Sequence, residues 1–104
     1  MENKNENSDN PLHNSKKYLL KLYITGSTPR SISAVNHITE ICRNNLNDYD
    51  LQIIDIYENP VLARDDQIIA IPTLIKVSPP PQRRIIGDMA NIEKVLTGLD
   101  HHRN

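Results

Sequence analysis

The side chains of this sequence that could do chemistry are few and scattered. Its single cysteine is Cys42, and one thiol can form neither an intramolecular disulfide nor a two-cysteine redox pair. Cys42 falls on the apolar stripe of a helical stretch, where free cysteine ordinarily acts as a small buried hydrophobe. The histidines are His13, His37, His101 and His102. The last two are adjacent near the end of the chain, and no carboxylate or thiol stands at helical ligand spacing, so no metal site is expected. Asp65-Asp66 could in principle share acid–base work. Beside Arg64 on a short helix they read more simply as its polar face. Lys76, Arg83 and Arg84 cluster around two adjacent strands. Arginine forks there suit carboxylates of a protein partner, although charge at such positions also guards an edge strand. The residues thus point to recognition rather than catalysis, with no enzyme activity and no cofactor expected.

A chain of 104 residues has the size of one domain with one modest core. It has no Phe or Trp and only 4 Tyr, so the core must be packed from Ile, Leu and Val. Twelve basic against thirteen acidic side chains leave a net charge of -1. No global field draws such a protein to nucleic acid or to an anionic membrane. One cysteine is ordinary for a reducing compartment, so a cytoplasmic location is expected. No signal peptide is recognisable, and no apolar stretch approaches the roughly 20 residues that span a bilayer.

Residues 1–17 are rich in Asn, Glu, Lys and Ser and read as a disordered polar tail. The domain is expected over 18–100, with a short tail at 101–104. Tyr18 to Ile24 is apolar on both alternating faces except at Lys21, the pattern of a central strand covered on both sides. Thr28-Pro29 supplies an N-cap hydroxyl and a proline for the first helical position. The following helix should bury Ile32, Val35, Ile38 or Thr39, Cys42 and Leu46. Leu51–Tyr57 reads as a second strand, parallel to the first because a helix joins them. Asn59-Pro60 repeats the cap-plus-proline signature before a short helix running through Val61, Leu62, Ile68 and Ile69. Leu74–Val77 forms a third strand after Ile71-Pro72-Thr73. Pro79-Pro80-Pro81 is stiff and extended, Arg84–Ile86 is a short antiparallel partner, and Ile92, Val95, Leu96 and Leu99 mark a final helix. The order is βαβαββα in an α/β domain.

That order, with a proline before the third strand, resembles thioredoxin. At the turn into the first helix, where thioredoxin has its two cysteines, this chain reads Gly26-Ser27-Thr28-Pro29-Arg30-Ser31, without a thiol. A thiol oxidoreductase is therefore disfavoured. A closer match runs from Tyr18 to Asp100. The strings YLLKLYITGSTPRS, IIDIYENPVLARDDQIIAIPTLIKV, PPPQRRIIGD and EKVLTGLD resemble, in order and spacing, the successive signature segments of the KaiB circadian clock family. The resemblance implies a bacterial, non-catalytic binding module for a KaiC-like ring ATPase, with KaiA or a SasA-like kinase as further members of the circuit. It also implies fold switching, in which the free protein rests as a homotetramer in a βαββααβ arrangement and adopts the thioredoxin-like form to bind. On that basis Tyr18, Lys21, Lys76, Arg83 and Arg84 are expected at the partner interface, and Pro72, Gly98 and Asp100 at the fold switch. Ser33, Gln52 and Gln67 stand where circadian members commonly carry basic residues, which bears on the KaiA role more than on the fold. A stand-alone oligomeric stress-adaptation protein with a different partner is the alternative.

Overall fold

The computed structural model describes residues 17–101. The expected tails at 1–17 and 101–104 lie outside it except for Lys17 and His101, and so do His13 and His102. The elements are β1 (Tyr18–Ile24), α1 (Pro29–Asn45), β2 (Tyr49–Asp55), α2 (Pro60–Asp65), β3 (Thr73–Ser78), β4 (Arg83–Ile86) and α3 (Ile92–Gly98). They form a four-stranded sheet of order β2-β1-β3-β4. β1 runs parallel to β2, with Tyr18 opposite Tyr49 and Ile24 opposite Asp55. It runs antiparallel to β3, with a register shift between Leu19 and Leu20, and β3 is antiparallel to β4. This is the βαβαββα order legible in the local sequence. It is not the βαββααβ arrangement expected for the free chain. The β-rich Thr73–Ser78 segment pairs with both β1 and β4, and that central position organises the C-terminal half around it.

The periodicity of the sequence decides which face of the sheet each helix covers. Leu20, Leu22 and Ile24 alternate onto one face and join Leu74 and Ile85. Against them pack Ala34, Ile38, Ile41, Cys42 and Leu46 from α1 and its end, and Val95, Leu96 and Leu99 from α3 and its end. Each aliphatic side chain buried there contributes about 1.5–3 kcal/mol. The alternate positions Tyr23, Ile54 and Ile75 face the other way, where Ile56, Ala63, Ile68 and Ile71 of the β2–β3 connection cover them. The result is three layers: two helices, the sheet, and a thin lid containing α2.

Three local readings are corrected. The buried stripe of α1 is Ser31, Ala34, Ile38, Ile41 and Cys42, whereas Ile32 is 50 % exposed. Val35, Ile38, Cys42 and Leu46 pack into the core as expected; only the first turn differs, with Ser31 turned inward, as described below. β2 starts at Tyr49 and stops at Asp55, since the Asp55 carboxylate accepts the Tyr57 N–H (2.9 Å) and its carbonyl accepts those of Glu58 and Asn59. Such an Asx turn ends a strand. α2 stops at Asp65 rather than reaching Ile69, because Gln67 is left-handed (φ 55°). Asn59 does not cap it through its side chain; its Nδ2 donates to the Asp55 carbonyl instead (3.2 Å). The proline run between β3 and β4 carries the chain through a reversal, so that Lys76 faces Arg83 across the pair.

Candidate functional site

The turn from β1 into α1 is held by hydroxyls. Thr28, in extended conformation, caps α1 by accepting the Ser31 N–H at 3.3 Å. Thr28 Oγ1 donates to Ser31 Oγ (2.9 Å), and Ser31 Oγ also accepts the Thr25 N–H (3.0 Å). Ser31 is completely buried. All the hydroxyl valences visible here are used to tie the turn, so the cluster does for this chain what packing does elsewhere in the core. On the exposed side of the same helix, Ser33 Oγ lies 3.2 Å from His37 Nδ1, a contact with no third group orienting the imidazole among the described residues. Cys42 lies deeper on α1 and is buried, which pushes its thiol up to about 11. At neutral pH it stays protonated and is a poor nucleophile. No cluster of three or more metal-ligating side chains forms among the described residues.

The residues expected at a partner interface fall into two internal clasps. In the first, Lys76 on β3 is only 1 % exposed, and its Nζ donates to Asp100 Oδ2 at 3.1 Å. Arg83 Nε donates to the same oxygen at 3.0 Å. Asp100 follows α3 in a left-handed conformation (φ 59°). Arg83, then Lys76, hold its carboxyl below the usual carboxylate range. The Tyr18 hydroxyl lies 3.3 Å from Nδ1 of His101, with the rings edge to face. Burial first, and the Asp100 charge second, raise the Tyr18 phenol above its ordinary value. Gly98 is equally committed: a Cβ there would stand 2.6 Å from Ile85 Cγ1. The end of α3 therefore sits against β4 at a distance that only glycine permits.

The second clasp centres on Asp66, just past α2. Its Oδ2 accepts Lys21 Nζ at 3.1 Å and a short hydrogen bond from the buried Tyr23 hydroxyl. The Tyr23 hydroxyl, then Lys21, hold the Asp66 carboxyl low, while burial opposes them. The Tyr23 phenol is raised, by burial above all and by Asp66 next. The Arg84 guanidinium reaches over from β4 to the carbonyls of Asp66 and Gln67, capping the end of α2. Asp65, by contrast, is exposed and lies 3.6 Å from Arg64. The two neighbouring carboxylates thus have unlike roles. Reading both as the polar face of α2 missed Asp66, although a lone Lys21 in an apolar central strand signalled that an acid had to meet it.

Tyr18, Lys21, Lys76, Arg83 and Arg84 are thus all bonded within the chain. A partner could reach the Lys76 ammonium only by displacing Asp100. What lies open is different in character. Tyr57, Val61 and Leu62 are exposed, and Ile69 is 92 % exposed, all in the connection from β2 to β3. α2 has no fully buried residue.

A sheet of this order, layered between two helices and a thin lid, with a hydroxyl turn where a dithiol would stand, defines a thioredoxin-like protein without a redox pair. The likeness in fold is direct. The N-terminal domain of SasA from Synechococcus elongatus superposes with a TM-score of 0.68 at 20% identity, over 86% of this chain and 89% of that one. Mitochondrial thioredoxin 3 of Saccharomyces cerevisiae gives 0.65 at 20% identity, over 80% and 76%. The sequence is more specific. Residues 21–101 match the KaiB domain model. The circadian clock oscillator protein KaiB of Prochlorococcus marinus (strain MIT 9312) is 52% identical over 86 residues, 82% of each chain. That of Thermosynechococcus vestitus is 52% identical over 86 residues, 82% of this chain and 80% of its own. The chain belongs to the KaiB family.

Proposed function

We propose that this protein is a non-catalytic binding module of clock or stress-related signalling that docks on a KaiC-like ring ATPase. The observation that carries the reading is the surface of the β2–β3 connection. It presents Tyr57, Val61, Leu62 and Ile69 to solvent, on a family member whose one thiol is buried. Apolar side chains grouped in one connection of a small domain mark an interaction site, and binding energy concentrates in such anchors. Arg83, half exposed beside Asp100, offers a guanidinium at the other end of the sheet for an acidic partner. The thioredoxin-like domain of a SasA-like kinase, sharing this fold, would compete for the same partner. Ser33, Gln52 and Gln67 are exposed, and their lack of charge favours a circuit without KaiA. In the resting state the chain is a cytoplasmic homotetramer in the βαββααβ arrangement, with Pro72, Gly98 and Asp100 in the part that rearranges.

The test is biolayer interferometry of the full chain against a purified KaiC-like ATPase, in ADP and in ATP. Ile69→Glu and Val61→Glu change exposed side chains and should leave folding intact while weakening binding at least ten-fold. Wild-type affinity in both variants would remove the β2–β3 connection from the interface. No binding by the wild-type chain in either nucleotide would overturn the choice of partner.

A further inference from the structure

The two faces of the sheet are covered unequally. Alternation along β1 puts Leu19, Lys21 and Tyr23 on the lid side, with Asp50 of β2 opposite Leu19 and Gln52 opposite Lys21. The lid reaches one end of that face, where Tyr23, Ile54 and Ile75 lie under Ile56, Ala63, Ile68 and Ile71. The other end is bare. Leu19 and Val77, neighbours at the β1–β3 register shift, are exposed there. With Lys21, Asp50 and Gln52 they line a hollow of about 170 Å³. A parallel strand pair such as β1–β2 is ordinarily covered on both faces, so half of this face lacks its cover.

The lid carries the matching surface. Ala63 packs inward on the sheet, which leaves Val61, Leu62 and Arg64 of α2 exposed. Arg64 meets its exposed neighbour Asp65 at 3.6 Å. A surface pair of that kind contributes little, so the guanidinium can exchange that carboxylate for another. Asp50 is exposed and has no ion pair among the described residues. One end of the face thus offers two aliphatic side chains and a cation, and the other end two aliphatic side chains and an anion. A half-turn about an axis lying across the strands exchanges the two ends. A second copy laid face to face on that axis sets each α2 over the bare end of the other.

We propose that two copies of this chain in the thioredoxin-like arrangement pair through this face, with Val61 and Leu62 of each copy against Leu19 and Val77 of the other and Arg64 against Asp50. The contact is isologous, so every interaction in it occurs twice, and a guanidinium takes a carboxylate through two parallel hydrogen bonds. Val61 and Leu62 also belong to the docking surface proposed above, so pairing and docking exclude each other. The pairing itself needs no ATPase and does not rest on that reading.

The test is disulfide trapping between full-length chains. Leu62→Cys and Val77→Cys chains carrying different affinity tags are mixed under mild oxidation, while Cys42, buried and with its thiol raised, stays out of the exchange. The mixed pair should form about ten-fold faster than either like pair, because the half-turn sets residue 62 against residue 77 and not against itself. Asp50→Arg, placed in both chains, should slow the mixed pair about ten-fold or more, since like charges then meet at both contacts. Adding Arg64→Glu should restore the rate. Both substitutions change exposed side chains, and NMR dispersion checks that each chain stays folded. Like pairs forming as fast as mixed ones, trapping indifferent to Asp50→Arg, or no recovery in the doubly reversed chains would overturn the proposal. No mixed pair at all would overturn it too and leave the bare face to a different chain.

Discussion

At the scale of single residues, the molecule is governed by two carboxylates whose positions make other groups tolerable. Lys76 is buried on β3, where its ammonium meets the Asp100 carboxylate. A buried ammonium stripped of its partner retains the full desolvation penalty, whereas replacing it with an apolar side chain of similar length removes the problem altogether. Asp100→Ala is therefore expected to lower the thermal midpoint of this arrangement more than Lys76→Met. Circular dichroism melts of the two variants check the order. A larger loss in Lys76→Met would mean that the ammonium finds other partners in the folded chain. Asp66 acts in the same way for Lys21 and Tyr23.

At the scale of elements, the end of α3 lies tight against β4. Gly98 has no room for a methyl group, with Ile85 Cγ1 at 2.6 Å and Cδ1 at 2.8 Å from its ideal position. Overpacking a core costs about 1–3 kcal/mol, while alanine gains at most about 1 kcal/mol over glycine in a helix. Gly98→Ala should thus destabilise the thioredoxin-like arrangement, by an amount that shrinks in an Ile85→Ala background. A double-mutant cycle of urea melts measures the coupling. Equal costs in both backgrounds would place the effect outside this contact. The geometry also bears on switching. Gly98→Ala strains this form, and Asp100→Arg would remove both ion pairs and set a cation beside Lys76. Together they can favour the thioredoxin-like form only by costing the competing arrangement still more.

For the whole molecule, both clasps tie the C-terminal half to the sheet, and both depend on an ionised carboxylate. Asp66 is depressed chiefly by the Tyr23 hydroxyl and Asp100 chiefly by Arg83. A carboxyl whose folded value lies below its unfolded one contributes stability that is complete above the unfolded value, about 3.9 for Asp. That stability disappears as pH falls through the folded value. The thermal midpoint should accordingly be level from neutrality down to about pH 5 and fall below about pH 4. Asp66→Asn should flatten part of that fall. Differential scanning calorimetry between pH 2 and 7 distinguishes these outcomes, and a midpoint that rises on acidification would contradict the linkage.

The sequence by itself determined the class of the protein and its element order. The alternating apolar run of β1, the Thr28-Pro29 cap and the missing thiol pair depend on neighbours in the chain, so they are legible one window at a time. It also carried the family, through four segments in order. Only the tertiary structure decided which groups the charged residues meet within the chain. Lys76, Arg83 and Arg84 have the types of an interface, yet Asp100 and the carbonyls past α2 take them up. The turn of α1 that exposes Ile32 was set by a hydroxyl cluster that helical periodicity does not register. Asp65 and Asp66 are indistinguishable in sequence and opposite in role. The physical reason is common to all three: burial and pairing are set by segments brought together from tens of residues apart, and no local pattern records that distance.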